Sequence, residues 1–382
     1  MRDFVKYIGI FFIRVIVRFF YVVPIKEERI MVSCYLGTQY AGNPKVISEY
    51  IQKLGEGKYE IIWAFKNKNH FAFLKDSGIR IVGYYSLKRL FLEATAKYCI
   101  DNAAGCYAWF PLRKGQYHID TWHGGGCYKT DGVLEKRGVF ALKRLLFNIQ
   151  ETTHMISSSS FFSQETLRKA LLYKGRILEI GMPRNDILFA SEKHAGIRQK
   201  IAAIYHLDMH KIWVLYAPTW REKGDVCDPD VEQLKKAVAA RFGTEALFLK
   251  RTHKFMEPHT RQSMTDVTDY ADMQDLLCAC DILITDYSSS LWDFSFTFKP
   301  CFIYAPDAEA YQDNRGFYRD IHTWGFPVCE DDEELFHAVA RFDEQAHKKN
   351  MEKHHKELGS FEKGNAAESF YGYFFGGMKP LS

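Results

Sequence analysis

Several common signatures are missing from this chain of 382 residues, and each absence argues against a class of protein. The nine cysteines form no CxxC pair, so neither a zinc ribbon nor a thiol redox motif is indicated. No GxGxxG fingerprint occurs, which disfavours a dinucleotide oxidoreductase. No GxSxG elbow occurs either, which argues against a lipase-like hydrolase. The net charge of +4 is too small to indicate a nucleic-acid partner.

The composition that remains is that of a globular protein with a substantial core. Hydrophobic residues make up 47% of the chain and charged residues 26%, and the length suits two domains of ordinary size. The scattered cysteines are typical of small core residues in a reducing compartment. No Asp-rich cluster suggests a metal site, so we expect neither a metal nor a cofactor.

The first 24 residues are predicted to form an amphipathic helix that associates with a membrane. Residues 8–23 read IGIFFIRVIVRFFYVV, which is short for a membrane span and carries two arginines. Arg14 and Arg18 are four residues apart and share one helical face, and Arg2 and Lys6 add positive charge nearby. A helix lying in the cytoplasmic headgroup region fits this pattern. The alternative is a helix buried in the domain, with arginines that extend to solvent.

Apolar strands alternate with helical segments from Arg29 onward, which predicts an α/β fold with parallel sheets. The series pauses at a polar helical stretch, residues 191–210, and then restarts. We therefore predict two Rossmann-like domains that face a cleft, over residues 25–200 and 201–360. A C-terminal helix is expected over residues 361–382, with packing against the N-terminal domain as one option.

The stretch DILITDYSSSLWDFSFTFKPCFIY, residues 281–304, reads as a strand, a polar corner, a helix and a second strand. The serines Ser288, Ser289 and Ser290 stand where the helix begins. Free N–H groups and hydroxyls at such a corner bind anions readily, so the corner is a candidate phosphate site. The alternative is that the serines only cap the helix.

Other polar clusters follow predicted strands, and most of them fall at strand ends. A histidine in the run Trp122-His123-Gly124-Gly125-Gly126 could accept a proton near neutral pH, and glycines let a backbone approach a ligand. The basic run Lys250-Arg251-Thr252-His253-Lys254 suits a pyrophosphate, unless it is a solvated turn. Further clusters are Gly181 to Asp186, Ala217 to Arg221, and Asp313 to Tyr318.

Together these clusters resemble the CDP-glycerol glycerophosphotransferase family of teichoic acid synthesis. The matching segments run in family order over about 200 residues: TWHG (121–124), GMPRND (181–186), YAPTWR (216–221), RTHK (251–254), DILITDYSSSLWDF (281–294) and YQDNRGFY (311–318). The sequence departs from the family pattern after TWHG, where Gly125-Gly126-Cys127-Tyr128 stands, and after His253, where a proline is lacking. These departures bear on the particular donor and acceptor more than on the reaction.

The resemblance implies a GT-B fold and the transfer of a polyol phosphate from CDP-glycerol or CDP-ribitol. The implied acceptor is a saccharide linked to polyprenyl diphosphate at the cytoplasmic face of the membrane, where the enzyme would be peripheral. His123 matches the family's general base, and His253 matches the histidine that steadies the pyrophosphate. The expected donor-binding residues are Arg251, Thr285, Asp286, Ser288, Ser289, Ser290, Asp293 and Arg315. The expected acceptor or cleft residues are Trp122, Gly124, Gly125, Arg184, Asn185, Asp186, Thr219, Trp220 and Arg221.

Two other functions stay open from the sequence. A GT-B glycosyltransferase would use a nucleotide sugar instead of a CDP-polyol. A membrane-surface binding protein would have a degenerate cleft, although His123, His253 and the serine corner are intact. Because only about 28 residues precede the first strand, we also expect primase-like addition of one or a few polyol phosphates.

Overall fold

A computed structural model describes residues 2–103, 107–135, 138–219, 221, 227–252 and 263–376, which fold into two compact units. Unit 1 contains Met1–His123, Asp131–Asp186 and Phe361–Ser382, and unit 2 contains Gly124–Thr130 and Ile187–Ser360. Each unit is built on one parallel sheet, so the predicted α/β class with two parallel sheets is confirmed.

Unit 1 has a seven-stranded sheet with the order β3-β2-β1-β4-β5-β6-β7. Its strands are β1 (Lys26–Val32), β2 (Glu60–Phe65), β3 (Arg80–Gly83), β4 (Ala96–Asp101), β5 (Tyr117–Asp120), β6 (His154–Ser157) and β7 (Arg176–Glu179). Its helices are α1 (Arg2–Phe19), α2 (Gly42–Leu54), α3 (Leu87–Ala94), α4 (Val139–Gln150), a π-helical segment (Phe162–Ala170) and, near the C-terminus, α13 (Ala366–Phe374). The helix α5 (Asp186–Phe189) begins at the last residue of the second segment of unit 1.

Unit 2 has a six-stranded sheet with the order β10-β9-β8-β11-β12-β13. Its strands are β8 (Ile212–Ala217), β9 (Ala246–Lys250), β10 (Thr265–Asp266), β11 (Ile282–Thr285), β12 (Cys301–Tyr304) and β13 (Val328–Cys329). Its helices are α6 (Ser191–Tyr205), α7 (Val231–Phe242), α8 (Met273–Ala279), α9 (Ser290–Ser295), α10 (Ala308–Asn314), α11 (Asp332–Ala340) and α12 (Glu344–Leu358). The two-residue edge strands β10 and β13 were not predicted.

The central strands are apolar along their whole length because helices cover both faces of a parallel sheet. All four residues of β11 and all four of β12 are buried, as are the last five of β2. Parallel strands place all their carboxyl ends at one edge of each sheet, which is where ligands bind in such folds. Most of the polar clusters of the sequence follow strands at these two edges, whereas the cluster that begins at Asp313 lies at the end of α10.

The predicted domain boundary after residue 200 falls inside α6 and needs correction. The whole of α6 belongs to unit 2, because Arg198 pairs with Asp281 at 2.9 Å and donates to the Ala279 carbonyl at 2.6 Å. In the sequence, the polar composition of α6 interrupts the series of apolar strands, although the helix itself belongs to unit 2. Unit 2 begins at Ile187 instead, and it also takes in the glycine-rich segment Gly124–Thr130, which no local pattern indicated.

The N-terminal helix α1 packs on unit 1 with one face and leaves another apolar face exposed. Ile10 and Val17 are fully buried against unit 1, and Arg14 donates to the Glu151 carboxylate at 2.6 Å and to the Ala108 carbonyl at 3.1 Å. The spacing of Arg14 and Arg18 suggested that both lie on one charged face toward the membrane. Arg14 instead points into unit 1, where it is paired. The helix also has a wide exposed apolar surface, formed by Phe4, Val5, Ile8, Phe11, Phe12, Val15, Ile16 and Phe19. None of the described helices is long and apolar enough to cross a membrane.

Candidate active site

The serine corner lies directly after β11 in unit 2, at the carboxyl edge of the sheet. Ser288 accepts the Ser290 backbone N–H at 3.2 Å and the Ser290 hydroxyl at 2.9 Å, so it acts partly as a cap. Ser289 caps α9 without a side-chain hydrogen bond, and within the described residues its hydroxyl has no partner. The corner therefore offers the Ser289 hydroxyl to a ligand. The helix behind it has only six residues, so its dipole adds little.

Thr285 and Asp286 precede the serines, and both use their side chains within the protein. The Thr285 hydroxyl donates to the Ala217 carbonyl of the neighbouring strand β8 at 2.6 Å. Both oxygens of the Asp286 carboxylate accept the Thr219 backbone N–H at 2.9 Å, and the carboxylate is almost fully buried. These two residues connect the loop after β8 to the serine corner, so they position the site. The donor contacts expected for them have no support in this geometry.

Arg221 forms the centre of a buried ion-pair network in unit 2. Its guanidinium lies 2.9 Å from Asp286 and donates to both oxygens of Asp307, at 2.7 and 3.0 Å. The Tyr287 and Tyr311 rings lie 5.0 and 4.9 Å from the guanidinium carbon. The Tyr287 hydroxyl also donates to Asp307 at 2.8 Å. Burial would raise the pKa of the Asp307 carboxyl, but the hydrogen bonds from Arg221 and Tyr287 outweigh it and hold the pKa below its usual value.

The network uses Arg221 for structure, although the sequence placed it among the acceptor or cleft residues. Thr219 lies beside it and also accepts from Arg221 through its carbonyl oxygen at 2.8 Å. The Thr219 hydroxyl is buried and has no hydrogen-bond partner among the described residues. Of the expected residues in this loop, Thr219 therefore has the side chain best suited to a ligand. Trp220 lies outside the described residues.

Five other residues of unit 2 were expected to bind the donor or to supply charge near it. Asp293 is buried and accepts a hydrogen bond from the Gln274 amide at 2.9 Å. Its carboxylate is therefore not at the surface, where it would have to be to bind the ribose of the donor. Lys250 is neutralised by Asp228, whose carboxylate oxygens lie 2.6 and 2.7 Å away. Arg251 is partly exposed and contacts the Met273 sulfur at 3.5 Å. Arg315 directly follows α10, and its carbonyl oxygen accepts a hydrogen bond from the Thr130 hydroxyl. His253 lies outside the described residues.

The glycine-rich segment packs against the serine corner within unit 2. A Cβ atom on Gly124 would lie 2.9 Å from both Cβ and Oγ of Ser289, which is too close. Gly126 has φ of +78°, and a side chain there would collide with Tyr128 and Trp292. Tyr128 in turn bonds to His354 at 2.9 Å, so the residues that depart from the family pattern are part of the unit 2 core. Gly125 is buried in the same segment.

His123 ends the first segment of unit 1 and is the third residue after β5. Its Nδ1 lies 2.8 Å from the Asn102 carbonyl oxygen, which can only accept, so Nδ1 carries the proton. In the neutral ring Nε2 is then the basic nitrogen, the state that a general base needs. The Trp122 ring stacks on the imidazole with centroids 4.9 Å apart, and the Tyr35 ring meets its edge at 5.9 Å.

Arg184 holds the loop that carries His123. Its Nη1 donates to the His123 carbonyl oxygen at 2.6 Å, and its backbone N–H donates to the Asn43 side chain at 3.0 Å. Asn43 donates in turn to the Thr121 carbonyl at 2.9 Å. Arg184, expected on the acceptor side, therefore lies next to His123 and fixes its backbone.

Asn185 and Asp186 were expected at the acceptor site, but the structure uses them to hold the C-terminal segment on unit 1. Asn185 donates to Glu362 at 3.1 Å. The two oxygens of Asp186 accept the first two N–H groups of α13, Ala366 and Ala367, at 2.9 and 2.8 Å. Asp186 is thus the cap of a helix that lies about 180 residues further along the chain.

Four residues that position the site were not expected from the sequence: Asn43, Asn102, Tyr287 and Asp307. Asn43 lies in the first turn of α2, and its Gly-Asn-Pro sequence by itself indicates only a turn. Asp307 follows β12 and could have been found by listing the acidic residues at every strand end. Among the described residues, no cluster of three or more His, Cys, Asp or Glu side chains could hold a metal ion.

Comparisons with known proteins agree with this arrangement of motifs. The sequence profile of the family CDP-Glycerol:Poly(glycerophosphate) glycerophosphotransferase matches residues 15–376. A teichoic acid poly(glycerol phosphate) polymerase of Bacillus spizizenii is 27% identical over 375 residues, which cover 93% of each chain. A teichoic acid glycerol-phosphate transferase of Staphylococcus aureus is 26% identical over 341 residues, 84% of this chain and 85% of that one.

A solved structure of the wall teichoic acid polymerase TagF is similar in fold. It superposes with a TM-score of 0.79 at 23% sequence identity, and the match covers 98% of this chain and 96% of that chain. At this identity the similarity bears on the fold alone. Because the polymerase of Bacillus spizizenii is matched over 93% of its length, chain length does not distinguish a primase from a polymerase, contrary to our expectation.

Proposed function

Because the chain belongs to the CDP-glycerol:poly(glycerophosphate) glycerophosphotransferase family, we propose that it transfers glycerol phosphate, or a related polyol phosphate, from a CDP-activated donor. The proposed acceptor is a hydroxyl of a saccharide linked to a membrane lipid, and CMP is the second product. The reaction serves the synthesis of teichoic acid or a related cell-surface polymer. The single observation that supports it best is the hydrogen bond from His123 Nδ1 to the Asn102 carbonyl, which leaves Nε2 as the base.

In the proposed step, the acceptor oxygen attacks the phosphorus that carries the polyol. A new P–O bond forms to the acceptor, and the P–O bond to CMP breaks, with the bridging oxygen leaving on CMP. The proton of the acceptor hydroxyl passes to His123 Nε2. Phosphoryl transfer depends mainly on positioning and on stabilising negative charge. The Ser289 hydroxyl and the Thr219 hydroxyl are suited to bind donor oxygens, because neither has a partner among the described residues.

The resemblance adds His253 and Arg251 as groups that steady the pyrophosphate, and Arg315 as a further cation for the donor. We assign the two parallel-sheet units to the GT-B class, in which donor and acceptor bind to different domains. Unit 2 carries the serine corner and takes the donor role, and unit 1 carries His123 and takes the acceptor role.

Attachment to the cytoplasmic face of the membrane is part of the proposal, and the exposed face of α1 supports it. Phe12 and Phe19 are 70% and 71% exposed, and they extend an apolar surface much wider than scattered surface residues provide. Arg18 is exposed on the same helix and would meet anionic headgroups. Burying these side chains among headgroups and acyl chains would hold the enzyme beside a lipid-linked acceptor.

The function is tested by supplying donors of different chemistry to the purified chain. CDP-glycerol, CDP-ribitol, a UDP-sugar and a GDP-sugar are each incubated with a polyprenyl-diphosphate disaccharide in vesicles, and nucleotide release and product mass are followed. We expect CMP release from a CDP-polyol and acceptor masses that rise by whole polyol phosphate units. Sugar transfer from the UDP or GDP donor without CMP release would show a glycosyltransferase instead. Absence of affinity for any cytidine nucleotide in calorimetry would favour a binding protein.

A further inference from the structure

A contiguous platform of aromatic side chains lies at the carboxyl ends of β1, β2 and β3 in unit 1. We define it by Tyr35, Leu36, Lys66, Tyr84 and Tyr85. Backbone hydrogen bonds join its three parts, from Lys66 N–H to the Gly37 carbonyl and from Tyr84 N–H to the Phe65 carbonyl, both at 2.8 Å. This edge of a parallel sheet is where ligands bind, and no described element covers Tyr85, which is 81% exposed.

The backbone of the platform is strained at its β1 end. Tyr35 and Leu36 have φ of +44° and +56°, a region that bulky residues rarely adopt. The next residue, Gly37, has φ of +77°, and a Cβ atom there would lie 2.3 Å from the Tyr84 ring. The turn thus keeps Leu36 partly exposed and lets Tyr84 pack directly over the backbone. Strain of this kind is concentrated at ligand sites.

Lys66 gives the platform a positive charge. Its ammonium lies 5.8 Å from the Tyr84 ring centroid and 5.9 Å from that of Tyr85. It forms no ion pair with any residue that the structure describes, and its side chain is exposed. An aromatic surface with one available cation suits a ligand that has both a flat, weakly polar face and an anionic group, such as a sugar ring that carries phosphate.

The platform is connected to His123 and to the exposed helix α1 within unit 1. Asn102 accepts the Tyr35 N–H at 2.8 Å through its side chain and the His123 Nδ1–H at 2.8 Å through its carbonyl. On the other side, α3 begins two residues after Tyr85, and its Phe91 packs on Phe20 at the end of α1 with centroids 5.5 Å apart. Because Phe91 is the fifth residue of α3, the helix spans ~6 Å from its first residue to this contact.

We propose that this platform binds the saccharide diphosphate of the acceptor, with sugar rings against Tyr35 and Tyr85 and a phosphate oxygen at Lys66. The lipid chain would then extend toward α1, and the free sugar hydroxyl toward His123. This inference rests on the proposed function and adds which residues select the acceptor. The expected motif residues Asn185 and Asp186 do not fill this role, because Glu362 and α13 engage them.

The test compares matched pairs of variants in an acceptor titration at saturating CDP-glycerol. The probe is a disaccharide diphosphate with a short alkyl chain, which needs no membrane. We expect Tyr85→Ala and Lys66→Met each to raise the acceptor KM about tenfold, with kcat and the donor KM unchanged. Tyr85→Phe keeps the ring and Lys66→Arg keeps the charge, so both should stay close to the wild type. Thermal melts of all four variants should match the wild type, because both side chains are exposed.

An unchanged acceptor KM in Tyr85→Ala and Lys66→Met would overturn the platform, while CMP release by the wild type would leave the proposed function intact. If the wild type releases no CMP at all, the proposed function fails, and the platform is then judged by calorimetry with the same probe. Binding that Tyr85→Ala weakens and Tyr85→Phe preserves would still support the platform. No binding by the wild type, or equal binding by all variants, would overturn it.

Discussion

The carboxyl edge of the unit 1 sheet is open and aromatic, whereas that of the unit 2 sheet is closed by ion pairs. In unit 1, Tyr85 and Lys66 are exposed beyond β3 and β2. In unit 2, Arg221 pairs with Asp286 and Asp307, and the side chains of Arg221 and Asp286 are buried whereas Asp307 is partly exposed. The same sheet architecture therefore carries charges that are paired within the protein at one edge and an exposed aromatic surface at the other.

Both edges use aspartates to shape the loops that follow their strands. In unit 1, Asp120 accepts the Trp122 N–H at 2.8 Å, and Asp101 accepts the Ala103 N–H at 3.0 Å. In unit 2, Asp286 accepts the Thr219 N–H. An acidic residue at a strand end of this protein is thus first a support for the backbone. Ligand contacts come from residues that such supports leave available, and substitutions should separate these two roles.

The largest effect is expected at His123, whose replacement should change the rate of the reaction and not the packing of the fold. Replacing it in His123→Ala should lower kcat by about 10²–10⁴-fold, because a general base contributes that much. The fold should be retained, since the side chain is partly exposed. CMP release from CDP-glycerol measures the effect. His210→Ala removes an exposed histidine of unit 2 and should change nothing. Equal CMP release by both variants would exclude His123 as the base.

Removing Arg221, the cation at the centre of the unit 2 edge, should lower the stability of the protein. Arg221→Met leaves Asp286 and Asp307 without their partner, and breaking a buried pair in this way costs about 3–5 kcal/mol. The free energy of unfolding from urea titration measures the loss. Lys66→Met makes the same chemical change at the open edge of unit 1 and should stay within about 0.5 kcal/mol of the wild type. A similar loss in both variants would show that the two edges do not differ as described.

Acid should destabilise both units, because each contains histidines that burial keeps neutral. Burial lowers the pKa of His118 and His154 in unit 1 to about 4, and in unit 2 it lowers the pKa of His355 to about 4 and of His354 to about 3. Between pH 6.5 and the folded pKa, the unfolded chain binds protons that the folded chain does not. The free energy of unfolding therefore falls as the pH falls through this window.

The slope is at most about 1.4 kcal/mol per pH unit for each such histidine. Unfolding free energies measured at pH 7, 6 and 5 should show this decline, and replacing one of the four histidines with glutamine should flatten it. His354→Gln tests unit 2 and His118→Gln tests unit 1. A stability that does not change between pH 7 and 5 would contradict the neutral, buried state of these side chains.

The smallest effect on the fold is expected on the exposed face of α1. Phe12→Ser and Phe19→Ser should leave the free energy of unfolding nearly unchanged, because both rings lie mostly in solvent. Each should weaken binding to anionic vesicles by about 1–2 kcal/mol, the contribution of a partly buried aromatic ring. Cosedimentation with vesicles measures this loss.

Deleting the whole helix is a poorer test of membrane binding. It would uncover the partners of Val17 in the core, among them Ala94 and Phe110. Ile10→Ala is the matched contrast, since Ile10 is fully buried and should cost about 2–5 kcal/mol of stability. Unaltered vesicle binding in the Phe12→Ser, Phe19→Ser double variant would mean that the exposed face has another use.

Much of the fold could be predicted because its signals are local. Runs such as YEIIWAF and DILIT contain three or more consecutive apolar residues and are bounded by polar residues, which indicates buried parallel strands. The edge strands Thr265–Asp266 and Val328–Cys329 have only two residues each, too few for any periodicity. The boundary between units was misplaced because α6 is polar in sequence, yet Arg198 ties it to Asp281.

The sequence by itself determined the order of strands and helices, the family, and the position of His123 and the serines after their strands. The tertiary structure alone decided which polar side chains point to partners inside the protein. Asp186 caps a helix 180 residues away, Arg14 pairs with Glu151, and Asp293 binds Gln274. A buried charge must find a partner or lose its ionised form, and that partner can lie anywhere in the chain. The sequence therefore gives the position of a charged residue relative to the strands and helices, while only the folded chain shows which group it pairs with.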